Sequence, residues 1–174
     1  MKKILYLATM LLAMVFTSCS KEEIGGTATQ NVAGDWYVKV VGCDASDNII
    51  YDDDELYGYG MWHCLTYNTA ANDPTKMIIY DDGNFKNYMV VVNIDQATNT
   101  FATPNNDFAP NLASNNNVKI TNGKIVFNGG KQNNGSPADY IEYNLYIDND
   151  KYAGDIYDHL RVIGVRYSGL ADND

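Results

Sequence analysis

The pattern of apolar and polar positions predicts a protein built from antiparallel β-strands. Within residues 31–42, Trp36, Val38 and Val40 alternate with Tyr37, Lys39 and Val41. This period of two places successive side chains on opposite faces of a strand. Trp36 begins the first run of this kind, where a large flat side chain can close one end of a core. We therefore predict that the folded part of the chain is organised around this first strand.

Further strands are predicted where β-branched and aromatic residues recur between turn residues. The predicted strands cover residues 61–70, 76–80, 85–94, 99–102, 118–121, 124–127, 140–147 and 159–167. The dipeptides Asp82-Gly83 and Asn122-Gly123 are typical of two-residue hairpin turns. Seven to nine short antiparallel strands predict an all-β barrel or sandwich. Two long connections, at 43–60 and 103–117, have the length of loops that often form lids or binding loops.

The first residues have the pattern of a targeting segment. Lys2 and Lys3 precede a nearly continuous apolar run over residues 4–16, which is short for a transmembrane helix. Thr17, Ser18 and Cys19 then resemble a bacterial lipobox, in which the cysteine is lipidated and its new amine acylated, as with palmitate. The alternative is an ordinary secretory signal with a chance cysteine. We predict a signal peptide over 1–18, an acylated flexible tether over 19–30 and a β-barrel domain over 31–174.

The acidic composition of the chain limits the classes of partner that it can bind through surface charge. The formal net charge is −10, and loss of the two leader lysines makes it −12. An acidic domain argues against a nucleic-acid partner, since phosphate binding needs a basic patch. Membrane contact would come from the lipid anchor rather than from surface charge. A lysine and two acids directly after Cys19 resemble an export signal for the outer face of the outer membrane, so we expect a lipoprotein at the cell surface.

The sequence contains no strong catalytic or metal-binding motif. The nucleophile motif G-x-S-x-G is absent, and the chain holds only two histidines. The acids of residues 52–55 could bind calcium, but a solvated acidic face is the favoured interpretation. Since no Cys/His cluster has the spacing of zinc ligands, we expect no metal and no cofactor. Cys43 and Cys64 are either a disulfide pair or two buried thiols, and the sequence leaves both possibilities open.

Five segments carry a resemblance to a known family. They are residues 32–38 (VAGDWYV), 65–70 (LTYNTA), 82–88 (DGNFKNY), 118–125 (VKITNGKI) and 162–169 (VIGVRYSG). In this order they resemble the small bacterial lipoproteins called lipid-binding putative hydrolases. The resemblance implies a calycin-like antiparallel barrel of about eight strands. Gly34 and Trp36 in the first strand, with Arg166 in the last, also resemble the lipocalin pattern, which implies that Trp36 and Arg166 meet at the closed end.

These features lead to a functional expectation. We expect a surface or outer-membrane lipoprotein that binds a lipid or another apolar or amphipathic small molecule inside the barrel. Val38, Val40 and Trp62 would line an apolar cavity, and Tyr51, Tyr57 and Tyr59 would form a lid over it. Two alternatives remain open, namely a hydrolase of unknown substrate and a module that binds glycans or proteins in a surface complex. The absence of a catalytic motif makes an enzyme the weaker hypothesis.

Overall fold

The structure is a computed structural model that describes residues 26–170. Its ten strands and one short helix, numbered in chain order, are β1 (Gly34–Cys43), β2 (Ile49–Tyr51), α1 (Asp53–Leu56), β3 (Trp62–Asn68), β4 (Lys76–Tyr80), β5 (Met89–Asp95), β6 (Thr100–Ala102), β7 (Ala109–Pro110), β8 (Asn117–Lys131), β9 (Pro137–Ile147) and β10 (His159–Arg166). A 3-10 turn covers Pro104–Asn106. Within the described range, no helix has the length and apolar character needed to span a membrane.

Eight of these strands close into an antiparallel barrel. The order around the barrel is β1, β3, β4, β5, β6, β8, β9 and β10, and β10 pairs with β1 to complete the circle. At this closure Trp36 faces Arg166 across the strands, and Cys43 faces His159. Strands β2 and β7 lie outside the circle and pair with β1 and β8. The predicted all-β barrel of about eight strands is confirmed.

The barrel interior is filled by alternate residues of the strands. Trp36, Val38 and Val40 of β1 are fully buried, as the period-two pattern predicts. Large side chains from the other strands meet them, including Met77, Ile79, Tyr88, Ile120, Ile141, Tyr143 and Leu145. Since these side chains fill the middle of the barrel, a ligand would bind at one of its ends.

One end of the barrel is closed by Trp36 and Arg166. The Arg166 guanidinium carbon lies 4.4 Å from the centroid of the Trp36 ring. Its Nη1 donates to the Ala33 carbonyl oxygen at 2.7 Å, and its Nε donates to Asp139 at 2.9 Å. The indole N–H of Trp36 donates to Thr66 Oγ1 at 2.8 Å. The two residues therefore meet at the end of the barrel where the folded chain begins.

Two predicted hairpin turns are wrong. Asn122-Gly123 lies within β8, which continues as one strand beside β9, and the dipeptide forms a bulge where the register shifts. Asn122 has a φ of 54°, a conformation that serves a bulge as well as a turn. Asp82-Gly83 belongs to a longer connection between β4 and β5, and the buried Asp81 carboxylate orders it by accepting bonds from the backbone N–H groups of Gly83, Phe85, Lys86 and Tyr88.

Cys43 and Cys64 are both buried free thiols. Cys64 faces Trp36 across the strands, whereas Cys43 lies at the other end of β1. Seven residues of strand separate those positions by about 23 Å, far beyond the reach of a disulfide. Burial raises the pKa of the Cys64 thiol to about 12, and its Sγ lies 3.3 Å from the Tyr143 hydroxyl in the core.

A candidate ligand-binding mouth

Strand direction places four connections at the barrel end opposite Trp36. They are residues 44–61, which include β2 and α1, and residues 81–88, 103–116 and 148–158. We call this end the mouth. The two long loops identified in the sequence, 43–60 and 103–117, therefore share one end of the barrel. The sequence did not indicate that residues 81–88 and 148–158 would contribute to the same rim.

The first of these connections is an ordered segment held by its own acids. The Asp52 side chain accepts from the N3 backbone N–H of α1, while the side chain of Glu55 accepts from the Asp52 N–H, which is a capping box. Asp53 Oδ2 accepts from the Gly60 N–H at 2.6 Å. Lys39 on the barrel wall pairs with Asp52 at 2.9 Å. These contacts fix the position from which α1 and its neighbours line the mouth.

A cavity of about 400 Å³ opens between this segment and the last mouth connection. Its lining residues are Tyr51, Glu55, Leu56, Tyr57, Tyr152, Ile156 and Tyr157. Four of the seven are tyrosines, two are aliphatic and one is an acid, so apolar faces and polar groups contribute to the wall in similar measure. Ile156 is 41% exposed although it is a large aliphatic residue. The size and the lining match the general character of sites for small amphipathic molecules.

A hydrogen-bonded chain forms the polar side of this cavity. Tyr157 donates its hydroxyl proton to Asp150 Oδ2 at 2.8 Å, and its oxygen lies 2.6 Å from the Tyr57 hydroxyl. Burial raises the pKa of Tyr157, and the bonds with Tyr57 and Asp150 raise it further. The Asp150 side chain is 4% exposed, and the Lys86 ammonium lies 3.8 Å from it. Tyr157 is therefore held as a neutral hydroxyl, and the hydrogen bonds fix the orientations of both Tyr157 and Tyr57.

An aromatic cluster continues from the cavity toward the barrel core. Phe85 packs edge-on against Tyr57 at 5.0 Å and against Tyr59 at 5.5 Å between ring centroids. Trp62 stacks on Phe85 with 5.7 Å between ring centroids. The Lys86 ammonium lies 4.9 Å from the Tyr57 ring centroid, which adds a cation to this wall. The buried indole N–H of Trp62 has no hydrogen-bond partner among the described residues.

The predicted site residues lie in three places: the cavity lining, the aromatic cluster and the barrel core. Tyr51 and Tyr57 line the cavity, while Tyr59 and Trp62 belong to the aromatic cluster beside it. Val38 and Val40 are fully buried in the core and are not in the lining of the mouth cavity. Cys19, the predicted lipidation site, lies outside the described residues.

Sequence reasoning missed four of the seven residues that line the cavity. Leu56, Tyr152, Ile156 and Tyr157 all contribute to it. Residues 148–158 have the pattern of an acidic loop, because Asp148, Asp150 and Asp155 dominate it. The apolar residues interleaved with those acids were the available signal, since a solvated acidic loop has no need of an isoleucine and two tyrosines in six positions.

Comparison with known proteins adds one finding. The family model described as lipid-binding putative hydrolase matches residues 21–171, which is most of the chain. No curated protein matches the chain. The matched range contains the whole barrel, the closed end formed by Trp36 and Arg166, and every residue that lines the mouth cavity. The chain therefore belongs to the lipid-binding putative hydrolase family.

Proposed function

We propose that this protein binds a single-chain amphipathic lipid in the mouth cavity. The observation that carries the proposal is the cavity itself, an opening of about 400 Å³ walled by four tyrosines and two aliphatic residues in a chain of a lipid-binding family. The apolar chain of the ligand would lie against Leu56 and Ile156. Burying such a chain contributes about 0.8 kcal/mol for each methylene group that leaves water.

The polar end of the ligand would remain at the edge of the cavity. The hydroxyls of Tyr57 and Tyr157 are held in place by Asp150 and can exchange hydrogen bonds with a head group. Lys86 pairs with the same Asp150 carboxylate and supplies a cation close to the Tyr57 ring. Because the Tyr157 proton goes to Asp150 and the Tyr57 proton to Tyr157, both hydroxyl oxygens are left as acceptors. Glu55 adds a carboxylate to the lining. A head group that carries a cation, such as phosphocholine, fits this arrangement better than a carboxylate alone does.

We also propose that the protein is an outer-membrane lipoprotein, anchored by Cys19 and exposed at the cell surface. The support is the leader sequence together with the place where the folded part begins. Residues 26–33 lie beside the closed end, where the Ala28 N–H donates to Asn72 and the Ala33 carbonyl oxygen accepts from Arg166. An anchor at that end would direct the mouth away from the membrane that holds it.

The anchor has its own test. Replacing Cys19 with Ser removes the thiol that lipidation requires, so the variant should leave the membrane fraction or retain its leader. Mass spectrometry of the membrane-bound wild-type protein should show a lipid mass on an N-terminal Cys19. An unmodified Cys19 in membrane-bound protein would contradict the anchor and leave the lipid-binding proposal untouched.

The hydrolase alternative is not favoured. Cys64 is buried in the core beside Tyr143 with a strongly raised pKa, whereas attack requires a thiolate. His159 faces Cys43 at the far end of β1, and its ring nitrogens contact Asp158 and Asp47. Cys64 is therefore separated from His159 by most of the barrel length, and burial raises the pKa of Cys43, the thiol that does lie beside His159.

The proposal is tested by titrating palmitate and lysophosphatidylcholine against the tryptophan fluorescence of the purified full chain. Trp62 lies beside the mouth cluster, whereas Trp36 lies at the closed end, so a Trp62→Phe variant assigns the signal. Ile156→Asp should weaken binding at least tenfold, because it places a carboxylate in the apolar wall. Val126 has the same exposure as Ile156, 41%, but lies on β8. Val126→Asp should therefore bind as the wild type does, and equal weakening by both substitutions would contradict the proposal.

A further inference from the structure

Outside the mouth cavity, a second group of reactive side chains lies on the outer wall of the barrel. Leu160 and Val162 of β10 belong to the core, so the alternate residue His159 faces outward. Its partner across the strands is Cys43 of β1. The connection after β1 brings Asp47 onto the same surface, 2.9 Å from His159 Nε2. Ligand spacing does not reveal this group, because 112 residues separate Asp47 from His159.

The three side chains offer one sulfur, one nitrogen and one oxygen atom within 4.8 Å of one another. Metal–ligand bonds of about 2.0–2.3 Å in tetrahedral geometry put ligand atoms about 3.3–3.8 Å apart, so small side-chain rotations would suffice. Cys43 and His159 are buried, whereas Asp47 is exposed. The group is therefore fixed on one side and open to water on the other, where a fourth ligand could bind.

The surroundings of His159 favour a metal at Nε2. Asp158 lies 3.0 Å from Nδ1, so the hydrogen on that nitrogen can be donated to a carboxylate. Carboxylates commonly orient a metal-binding imidazole in this way, and they fix the tautomer whose other nitrogen is the ligand. The His159 ring also stacks on Tyr146, with 5.2 Å between centroids, which holds the plane of the imidazole.

We propose that Cys43, Asp47 and His159 bind one divalent transition-metal ion, with zinc as the best match to this donor set. Binding would displace the proton of the Cys43 thiol and any proton on His159 Nε2, leaving a thiolate, a neutral imidazole and a carboxylate around the ion. The thiolate and the carboxylates of Asp47 and Asp158 would then balance the charges of the metal and of Arg161. The metal would tie the connection that leads to β2 and α1 to the barrel wall.

Arg161 and the metal ion would both bind the Asp47 carboxylate. Its Nη2 lies 2.5 Å from Asp47 Oδ1 and also donates to the Asp47 carbonyl oxygen at 2.8 Å. Asn144 donates to the same Oδ1 at 2.9 Å. The contacts from Arg161, Asn144 and His159 all use Oδ1, which leaves Oδ2 open to a metal among the described contacts. Arg161 would then hold Asp47 in place while the metal binds its other oxygen.

The test is a titration of the purified full chain with Co²⁺ alone, followed by competition with Zn²⁺. Cobalt bound to a thiolate produces a charge-transfer band in the near ultraviolet, which reports directly on cysteine coordination. We expect one equivalent of Co²⁺ to produce the band and Zn²⁺ to abolish it. Cys43→Ser should remove the band, and His159→Gln should weaken Zn²⁺ binding at least tenfold.

Two control variants separate this site from the other thiols. Cys64→Ala and Cys19→Ser should both keep the band, because those residues lie outside the proposed ligand set. Asp47→Asn changes an exposed side chain and should weaken Zn²⁺ binding even if Cys43→Ser fails to fold. The proposal is overturned if the wild type shows no band, if the band survives in a folded Cys43→Ser protein, or if Asp47→Asn binds as the wild type does.

Discussion

At the scale of single residues, the closed end depends on one arginine with three partners. Arg166 contacts the Trp36 ring, the Ala33 carbonyl oxygen and the Asp139 carboxylate. A Cβ at Gly34 would collide with the Arg166 guanidinium, so glycine is the residue that allows the arginine to reach this position. The contact between Trp36 and Arg166 could be inferred from sequence, because the first and last strands of a closed barrel must be neighbours.

Arg166→Ala should therefore lower the free energy of unfolding. The cation–π contact and the hydrogen bonds of a charged donor suggest a loss of about 2–3 kcal/mol, discounted because the side chain is partly exposed. Urea unfolding followed by Trp36 fluorescence measures the change. Arg166→Lys is the matched control, and it should recover part of the loss because it keeps the charge without the planar fork. A stability equal to that of the wild type in Arg166→Ala would contradict this account of the closed end.

The buried thiol and phenols of the core should make the free energy of unfolding fall at alkaline pH. Burial raises the pKa of Cys64 from 9.0 to about 12, and burial raises the pKa of Tyr88 and of Tyr143 well above 10.0. The native protein therefore keeps protons that the unfolded chain loses as the pH rises above about 9.

Below pH 9 these three groups should make no contribution to the pH dependence of the free energy of unfolding. Between pH 9 and pH 12 they should make it fall steadily. Urea unfolding at a series of pH values measures this slope. Cys64→Ala should make the slope shallower, because one of the three groups no longer contributes. A constant free energy of unfolding over this range would show that the core phenols and thiol are more hydrated than the structure indicates.

At the scale of elements, the period-two pattern predicted the barrel strands well, but it did not predict where a strand bends without ending. Lys76–Tyr80 was predicted with its observed bounds, and β1 and β10 differ from their predictions by a few residues. The sequence predicts a hairpin turn at Asn122-Gly123, and this prediction is wrong because a positive φ and a glycine serve bulges as well as turns. Whether the dipeptide forms a turn or a bulge depends on whether β9 pairs with the residues on both sides of it. A local sequence pattern does not contain that pairing.

The bulge makes Gly123 sensitive to substitution. An added Cβ would overlap the ring of Phe101 and come within 2.6 Å of the Phe101 carbonyl oxygen. Gly123→Ala should therefore lower the free energy of unfolding by about 2 kcal/mol, as overpacking does in other cores. Asn122→Gly keeps the backbone conformation available and should change it by well under 1 kcal/mol. Urea unfolding of both variants is the measurement, and equal effects would show that β6 and β8 approach less closely than described.

At the scale of the whole molecule, the barrel has two chemically different ends. The closed end holds Trp36, Arg166 and the beginning of the folded chain, while the mouth holds the four connections and the tyrosine-lined cavity. Strand direction brings the two long loops of the sequence to the mouth. The cavity wall could not be predicted fully, because Leu56, Ile156 and Tyr157 meet only after two distant connections fold over the same end.

The most direct test of the central proposal is to map the ligand on the protein by solution NMR. The isotope-labelled full chain would be titrated with lysophosphatidylcholine below its micelle concentration, and backbone amide shifts would be followed. We expect the largest shifts at Leu56, Tyr57, Tyr152 and Ile156, with little change near Trp36 and Arg166. Saturable shifts confined to the closed end or to the outer wall, or no saturable shifts at all, would contradict a lipid-binding mouth.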